Sequence, residues 1–376
     1  MKTHFLNHKS FLILFFVLLI GRVSAQSLPQ PTKEELKTDK ILYKHRRTVA
    51  FTSRLNPLSD SQEIEKKKFF KALSQNRVYN PVFSFKPIPD KLRNFYFADV
   101  EIPQKGFYTD LLKSYLELLK TKAAIILTSD PQEFSQLCCK LYPAPEPELI
   151  LEAHKILREV KVVEYEKILS PHDLKKILEK ALLDYQLDEW KIKIYENMGA
   201  RASVLPGSRK IKINGNSRFS KRDAKRLILH EIGVHAVRAQ NGRKHALKIF
   251  STGLPGYLKT EEGLAVYNEF KNGITDGLPL FALRVLGVHW ALEHSFYKTF
   301  KLLRKMGADK EVAWRITVRC KRGLKYSASP GAYTKDASYL RGLLMIRKAM
   351  KKDPTIFSRL LKSGKTGIEH LKILDL

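Results

Sequence analysis

The stretch from Ser220 to Gly242, SKRDAKRLILHEIGVHAVRAQNG, carries its own helix punctuation. Ser220 is an N-cap whose hydroxyl accepts a bond from an early backbone N–H, and Asn241-Gly242 is a helix stop. Between them lie His230, Glu231 and His235. Two histidines flanking a helical turn, with a glutamate directly after the first, are how zinc hydrolases present two imidazole ligands and a general base. The customary spacing is i, i+4, about 40° apart around the helix; here it is i, i+5, about 140° apart. Either the match is accidental, or the helix carries an extra residue as a π-bulge that returns His235 over His230. Gly233 sits inside that turn, where a distortion is least resisted.

Upstream, Leu169 onward reads SPHDLKKILEKALLDY, a helix capped by Ser170 with Pro171 at its first position. Two runs then alternate polar and apolar residues, Trp190 to Tyr195 (WKIKIY) and Arg209 to Ile213 (RKIKI), so each is a strand with one buried and one solvent face. Downstream comes Thr260-Glu261-Glu262-Gly263-Leu264-Ala265. Read alone, Thr260 caps a helix whose opening carboxylates suit the helix dipole. Read beside the histidines, a glutamate from a second helix completes a two-His, one-Glu zinc set with one position left open. The rest of the chain to Leu376 is mostly helical, interrupted by RGLKYSASPGAYTKD (Arg322 to Asp336). The class is α+β: mostly helical with a small sheet, plus an N-terminal helical or mixed subdomain.

His-Glu-x-x-x-His followed by Glu-Glu-Gly-Leu-Ala resembles the tyrosine carboxypeptidase-type metallopeptidase family, that of microtubule-associated tyrosine carboxypeptidase-like proteins and of the bacterial "QEGLA motif" proteins. The resemblance runs from about Asn80 to Ala349. It takes in NPVF, the segment Met198 to Ile213, Tyr333-Thr334-Lys335-Asp336 and Tyr339-Leu340-Arg341-Gly342. It implies a zincin-like metallopeptidase domain, one zinc ion, and removal of residues from a polypeptide C-terminus. Because the bacterial motif has Gln where this chain has Glu261, the resemblance assigns Glu262 as third ligand beside His230 and His235, with Glu261 as the fallback; Glu231 is the general base. By the same analogy the strand over 209–213 is an edge strand able to align an extended substrate. A chain-end carboxylate suits an Arg fork, so Arg319, Arg322, Lys335 and Arg341 are candidate substrate-binding residues. Tyr326 or Tyr333 is placed to hydrogen-bond the tetrahedral oxyanion.

The 376 residues include 68 Lys+Arg against 38 Asp+Glu, a formal charge of +30. With 44% hydrophobic and 28% charged residues the chain is neither disordered nor collagenous. Three cysteines, Cys138, Cys139 and Cys320, exclude a disulfide scaffold and a Cys-rich zinc site. Residues 1–25 have the layout of a signal peptide: Lys2 and Lys9, the apolar run FLILFFVLLI, then small residues Val23 and Ala25. Ten apolar residues span about 15 Å as a helix, half a bilayer core, so cleavage and export to a periplasm or the extracellular space is expected ahead of N-terminal membrane anchoring. Cleavage removes Lys2, Lys9 and Arg22 and leaves +27. The expected partners are therefore a peptide or protein C-terminus, in keeping with the charge an acidic one, and not nucleic acid, for which no motif is present.

The expected organisation is a signal peptide over 1–25, a basic, largely extended arm with one helix over 26–75, an N-terminal subdomain over 76–165 and the catalytic domain over 166–376. Three further features are set aside. His289 and His294 with Glu293 lack a nearby carboxylate and lie in an apolar stripe. Ser363-Gly364-Lys365-Thr366 lacks the upstream glycine of a phosphate loop, since position 359 is Arg359. Cys138-Cys139 has no neighbouring histidine. Two other functions compete: an exported basic binding protein on a zincin scaffold, and a metal-dependent amide hydrolase acting on envelope peptides. Binding alone gives no reason for the base Glu231.

Overall fold

The computed structural model describes residues 28–374 apart from Val162, Asn197 and Gly199, so the expected signal peptide lies outside the described residues. The chain folds as two compact units, each built from separated stretches. Among the described residues the first holds 28–32, Glu164–Gly273 and 345–374; the second holds Lys33–Val163 and Ile274–Leu344. Among the described residues no helix is long and apolar enough to cross a membrane.

In the first unit, helix α1 (Pro171–Asp184) opens on a capping box in which Ser170 and Asp173 exchange side-chain and backbone hydrogen bonds. Three short strands follow, β1 (Lys191–Tyr195), β2 (Ala202–Leu205) and β3 (Lys210–Asn214), in the spatial order β1-β3-β2. β1 runs parallel to β3 and β2 antiparallel to it. The alternation of KIKIY and KIKIN does what its period demands: Ile192, Ile211 and Ile213 are buried against Leu174, Leu178 and Leu182 of α1. Helix α2 (Lys221–Leu227) opens on a second capping box, Ser220 with Asp223, and Arg201 braces Asp223 with two bonds of 2.8 Å.

β3 is the middle strand, which corrects the edge-strand expectation over 209–213. Both its edges are occupied, so it has no free backbone groups to offer a substrate. The third strand, ASVL, is unforeseen because four residues without polar alternation give no period to read.

The second unit is helical. Its aromatic core gathers Phe69, Phe83, Phe296, Phe300 and Trp314, and the helix over Leu278–Glu293 packs on the one over Pro147–Glu159. The expected extended arm is three helices, Lys33–Val49, Phe51–Leu55 and Ser59–Ser74. Their buried apolar residues, among them Leu42, Val49, Leu55 and Phe69, are set among many charges, with Leu36 and Ile64 exposed, so the stripe is hidden. The linear partition places 166–376 in one domain; instead Ile274–Leu344 folds with Lys33–Val163. A chain that leaves a unit and returns to it produces no boundary in composition.

Candidate metal centre

From α2 the chain continues into a π-helical segment, Ile228–Ala236, before returning to α-helix at α3 (Val237–Gly242). The wider turn absorbs the additional residue between the histidines and turns both rings to one side. Their centroids lie 4.8 Å apart at 72°. Gly233 is closely faced: a Cβ there would come within 3.1 Å of the Tyr185 hydroxyl and 3.2 Å of the Asn268 amide nitrogen, so either side chain would have to give way by a few tenths of an ångström. That amide donates 2.8 Å to the Leu229 carbonyl inside the π segment, supporting the distorted backbone from a later helix.

That later helix is α4 (Tyr257–Lys271), reached after a short helix over Ile249–Thr252, and it delivers Glu261, Glu262 and Glu269, all buried. It starts three residues before Thr260, correcting the capping role read for that residue. The buried Thr260 hydroxyl instead accepts a bond of 3.0 Å from the Ile368 N–H. Glu262 and Glu269 are seven residues apart, two turns, and share a helix face. Glu262 Oε2 stands 3.8 Å from His230 Nε2 and 3.6 Å from His235 Nε2. Glu269 takes the other side of the first ring, with Oε1 2.6 Å from His230 Nδ1. Glu261 does the same for the second, with Oε1 2.9 Å from His235 Nδ1. Carboxylates on both Nδ1 atoms hold a proton there, so that each Nε2, once deprotonated, directs its lone pair toward Glu262.

The donor set suits a small, borderline-soft cation such as zinc. Ligands at about 2.0–2.1 Å from a tetrahedral ion stand about 3.4 Å apart, and the ligand atoms of His230, His235 and Glu262 lie within 4.8 Å of one another. Among the described residues this is the one such group. Electrostatics point the same way. Burial opposes charge on both rings, yet hydrogen bonds to Glu262 and Glu269 raise His230 to about 10, and Glu261 and Glu262 raise His235. The cluster therefore favours positive charge between the rings. Glu231, next to His230, is half-buried and has no hydrogen bond or ion pair among the described residues.

Sequence reading missed the support behind Glu261. Its buried carboxylate receives Arg238 Nη1 and Lys365 Nζ; Arg238 also donates 2.9 Å to the Leu360 carbonyl and 2.6 Å to that of Thr366. Burial would push the Glu261 carboxyl up, but Lys365, Arg238 and His235 hold it well below the usual carboxylate range. Lys365 belongs to Ser363-Gly364-Lys365-Thr366, and its ammonium group pairs with Glu261. Its backbone is pinned there by Lys365 N to Phe250 O, 2.7 Å, and Leu254 N to Lys365 O, 3.0 Å. That crossing needs glycine at two points: a Cβ on Gly242 would lie 2.2 Å from the Phe250 oxygen, and Gly364 has φ +76°.

The structure thus brings His230, Glu231, His235 and Glu262 together in the first unit, while Arg319, Arg322, Tyr333, Lys335 and Arg341 belong to the second. Three of those five are engaged internally, against the substrate role read for them. Arg319 grips the buried Asp336 through Nε and Nη2. Arg341 is spent on Glu146 and on the carbonyls of Pro143 and Ala144. Tyr333 is 1% exposed, packed edge-on to Phe51 and Tyr142. Arg322 stacks over the Tyr333 ring at 5.7 Å and keeps a buried Nε with no hydrogen-bond partner.

A family model described as "Microtubule-associated tyrosine carboxypeptidase" matches residues 67–376. The chain is 33% identical over 153 residues to mouse "Microtubule-associated tyrosine carboxypeptidase 1" (Mus musculus), a segment covering 39% of this chain and 32% of that protein. It is 31% identical over 149 residues to the human "Putative tyrosine carboxypeptidase MATCAP2" (Homo sapiens), covering 39% and 28%. The alignments span about a third of these relatives' length.

Proposed function

The chain belongs to the microtubule-associated tyrosine carboxypeptidase family, and from that premise we propose that it is a zinc-dependent carboxypeptidase with a zincin-like catalytic unit, removing residues from a peptide or protein C-terminus. The observation that carries the reading is the convergence of His230 Nε2, His235 Nε2 and Glu262 Oε2, with Glu231 following His230 on the same segment. Zinc held by His230, His235 and Glu262 would polarise the scissile carbonyl and make water acidic enough to react near neutral pH. Glu231 accepts the proton of the attacking water on its carboxylate and returns it to the leaving amine. Glu261 and Glu269 hold the imidazoles against rotation and keep their Nδ1 protons in place.

The signal-peptide layout of residues 1–25 is the basis for proposing export; N-terminal sequencing of the mature protein tests it. An exported binding protein on the same scaffold remains the competing reading, and a single experiment separates the two. Purified protein is assayed for metal and for peptide hydrolysis, alongside Glu231→Gln. Stoichiometric zinc in both proteins, with hydrolysis in the wild type alone, is the expected outcome. Absence of stoichiometric metal from the wild type refutes the enzyme.

A further inference from the structure

The three-stranded sheet has two faces of opposite character. Ile192, Ile211 and Ile213 fill one, against α1 and the π segment. The other carries lysine at every second residue of two neighbouring strands, and the register sets these directly side by side: Lys191 against Lys210, and Lys193 against Lys212. On the far side of β3, Leu205 and Ser203 stand opposite Lys210 and Lys212. With Tyr195 and Asn214 completing that face, none of its eight positions is acidic. The four ammonium groups have no ion-pair partner among the described residues, and one of them, Lys212, rests 4.4 Å over the Tyr195 ring.

Like charges directly opposite one another on a ladder are destabilising. Lysine does have a protective use on exposed edges, where it discourages pairing with another chain. That explains Lys191 and Lys193 on β1, an edge strand. It does not explain Lys210 and Lys212, because β3 is central and both its edges are already bonded. The central pair adds repulsion with no edge to guard.

We propose that this lysine face docks an extended acidic polypeptide segment. Lysines two apart on a strand repeat about every 6.6–6.8 Å, which is the repeat of alternate side chains on any extended peptide laid along them. A run of Asp or Glu therefore matches the spacing residue for residue. Lysine, a compact point charge, suits carboxylates of a flexible segment; the forked arginine that favours phosphate is absent from the face, and the nearby Arg209 is 3.1 Å from Glu189. The one aromatic ring, Tyr195, is covered by Lys212, so no stacking platform is offered to bases. The face lies on the opposite side of the sheet from the π segment, so docking there is independent of the metal reading.

The test uses the full chain with chelator present. Binding of a fluorescent twelve-residue polyglutamate is measured at low and physiological salt for the wild type and for Lys191→Gln/Lys193→Gln/Lys210→Gln/Lys212→Gln. A control removes the same charge from exposed lysines of the same unit, Lys348→Gln/Lys351→Gln/Lys352→Gln/Lys372→Gln. The sheet variant is expected to bind about tenfold or more weakly, as the loss of four weak ion pairs implies, with a flatter salt dependence. The control should stay within about twofold, and the sheet variant should melt no lower than wild type because repulsion has been relieved. Equal losses in both variants overturn the proposal, as does a lower melting temperature in the sheet variant. Tighter binding of an oligonucleotide or of anionic vesicles than of polyglutamate at this face overturns the choice of partner.

Discussion

Glu261 in the first unit and Asp336 in the second are buried carboxylates saturated in the same manner, each gripped by an arginine and approached by a second cation. Glu261 has Arg238 and Lys365; Asp336 has Arg319, with Arg284 Nε at 3.9 Å. Both carboxyls are held well below the usual range by those cations despite burial. The difference is one further contact: Glu261 also bonds the Nδ1 of His235, whereas no histidine bonds Asp336 among the described residues. The same physics that merely staples one unit, in the other fixes the orientation of a ring whose far nitrogen faces Glu262.

That contrast can be broken by four measurements. The largest effect belongs to Arg319→Met, which takes from the buried Asp336 its hydrogen-bonded guanidinium and leaves it the more distant Arg284 Nε at 3.9 Å. It should cost about 3–5 kcal/mol in denaturant unfolding while leaving the metal affinity of the folded protein unchanged. Glu261→Gln should weaken zinc binding about 10- to 100-fold in chelator competition, and Asp336→Asn should not weaken it at all; equal effects would erase the distinction. Lys365→Met acts one step further from the ring, and a loss of roughly tenfold or less is expected, with Lys365→Arg restoring most of it. The smallest effect is on the acid limb of stability. A carboxyl whose folded pKa is depressed contributes stability that is fully present above its unfolded value, about 4, and is lost as pH falls through the folded value. Melting temperature followed from pH 6 to pH 2 should therefore fall less steeply in Arg319→Met than in wild type.

The candidate site was legible where chemistry sits close in sequence. His230 and His235 at i, i+5 posed a choice between accident and a π-bulge, and the π segment with Gly233 under Tyr185 and Asn268 is the arrangement present. The strands read as WKIKIY and RKIKI, each within one residue of those present, and both serine caps followed from period and capping chemistry alone. Arg238 and Lys365 were not legible, because Glu261 meets Lys365 across 104 positions and only the crossing at Gly242 and Gly364 brings them together. The basic chemistry near the C-terminal motif misled for the converse reason. Arg319 and Arg341 look like anion hooks in sequence, and only the fold reveals that Asp336 and Glu146 already fill them. Glu269 has a periodic signal, seven residues after Glu262, that a search for second-layer partners of the histidines would find.

The central claim, a metal centre that shortens polypeptides from the C-terminus, is tested most directly by mass spectrometry of a peptide digest over time. Zinc-loaded protein should produce a ladder of single-residue losses from the free carboxyl end, abolished by chelator, restored by added zinc, and absent for the same peptide with an amidated terminus. Internal fragments, or hydrolysis that continues undiminished in chelator, would contradict the account.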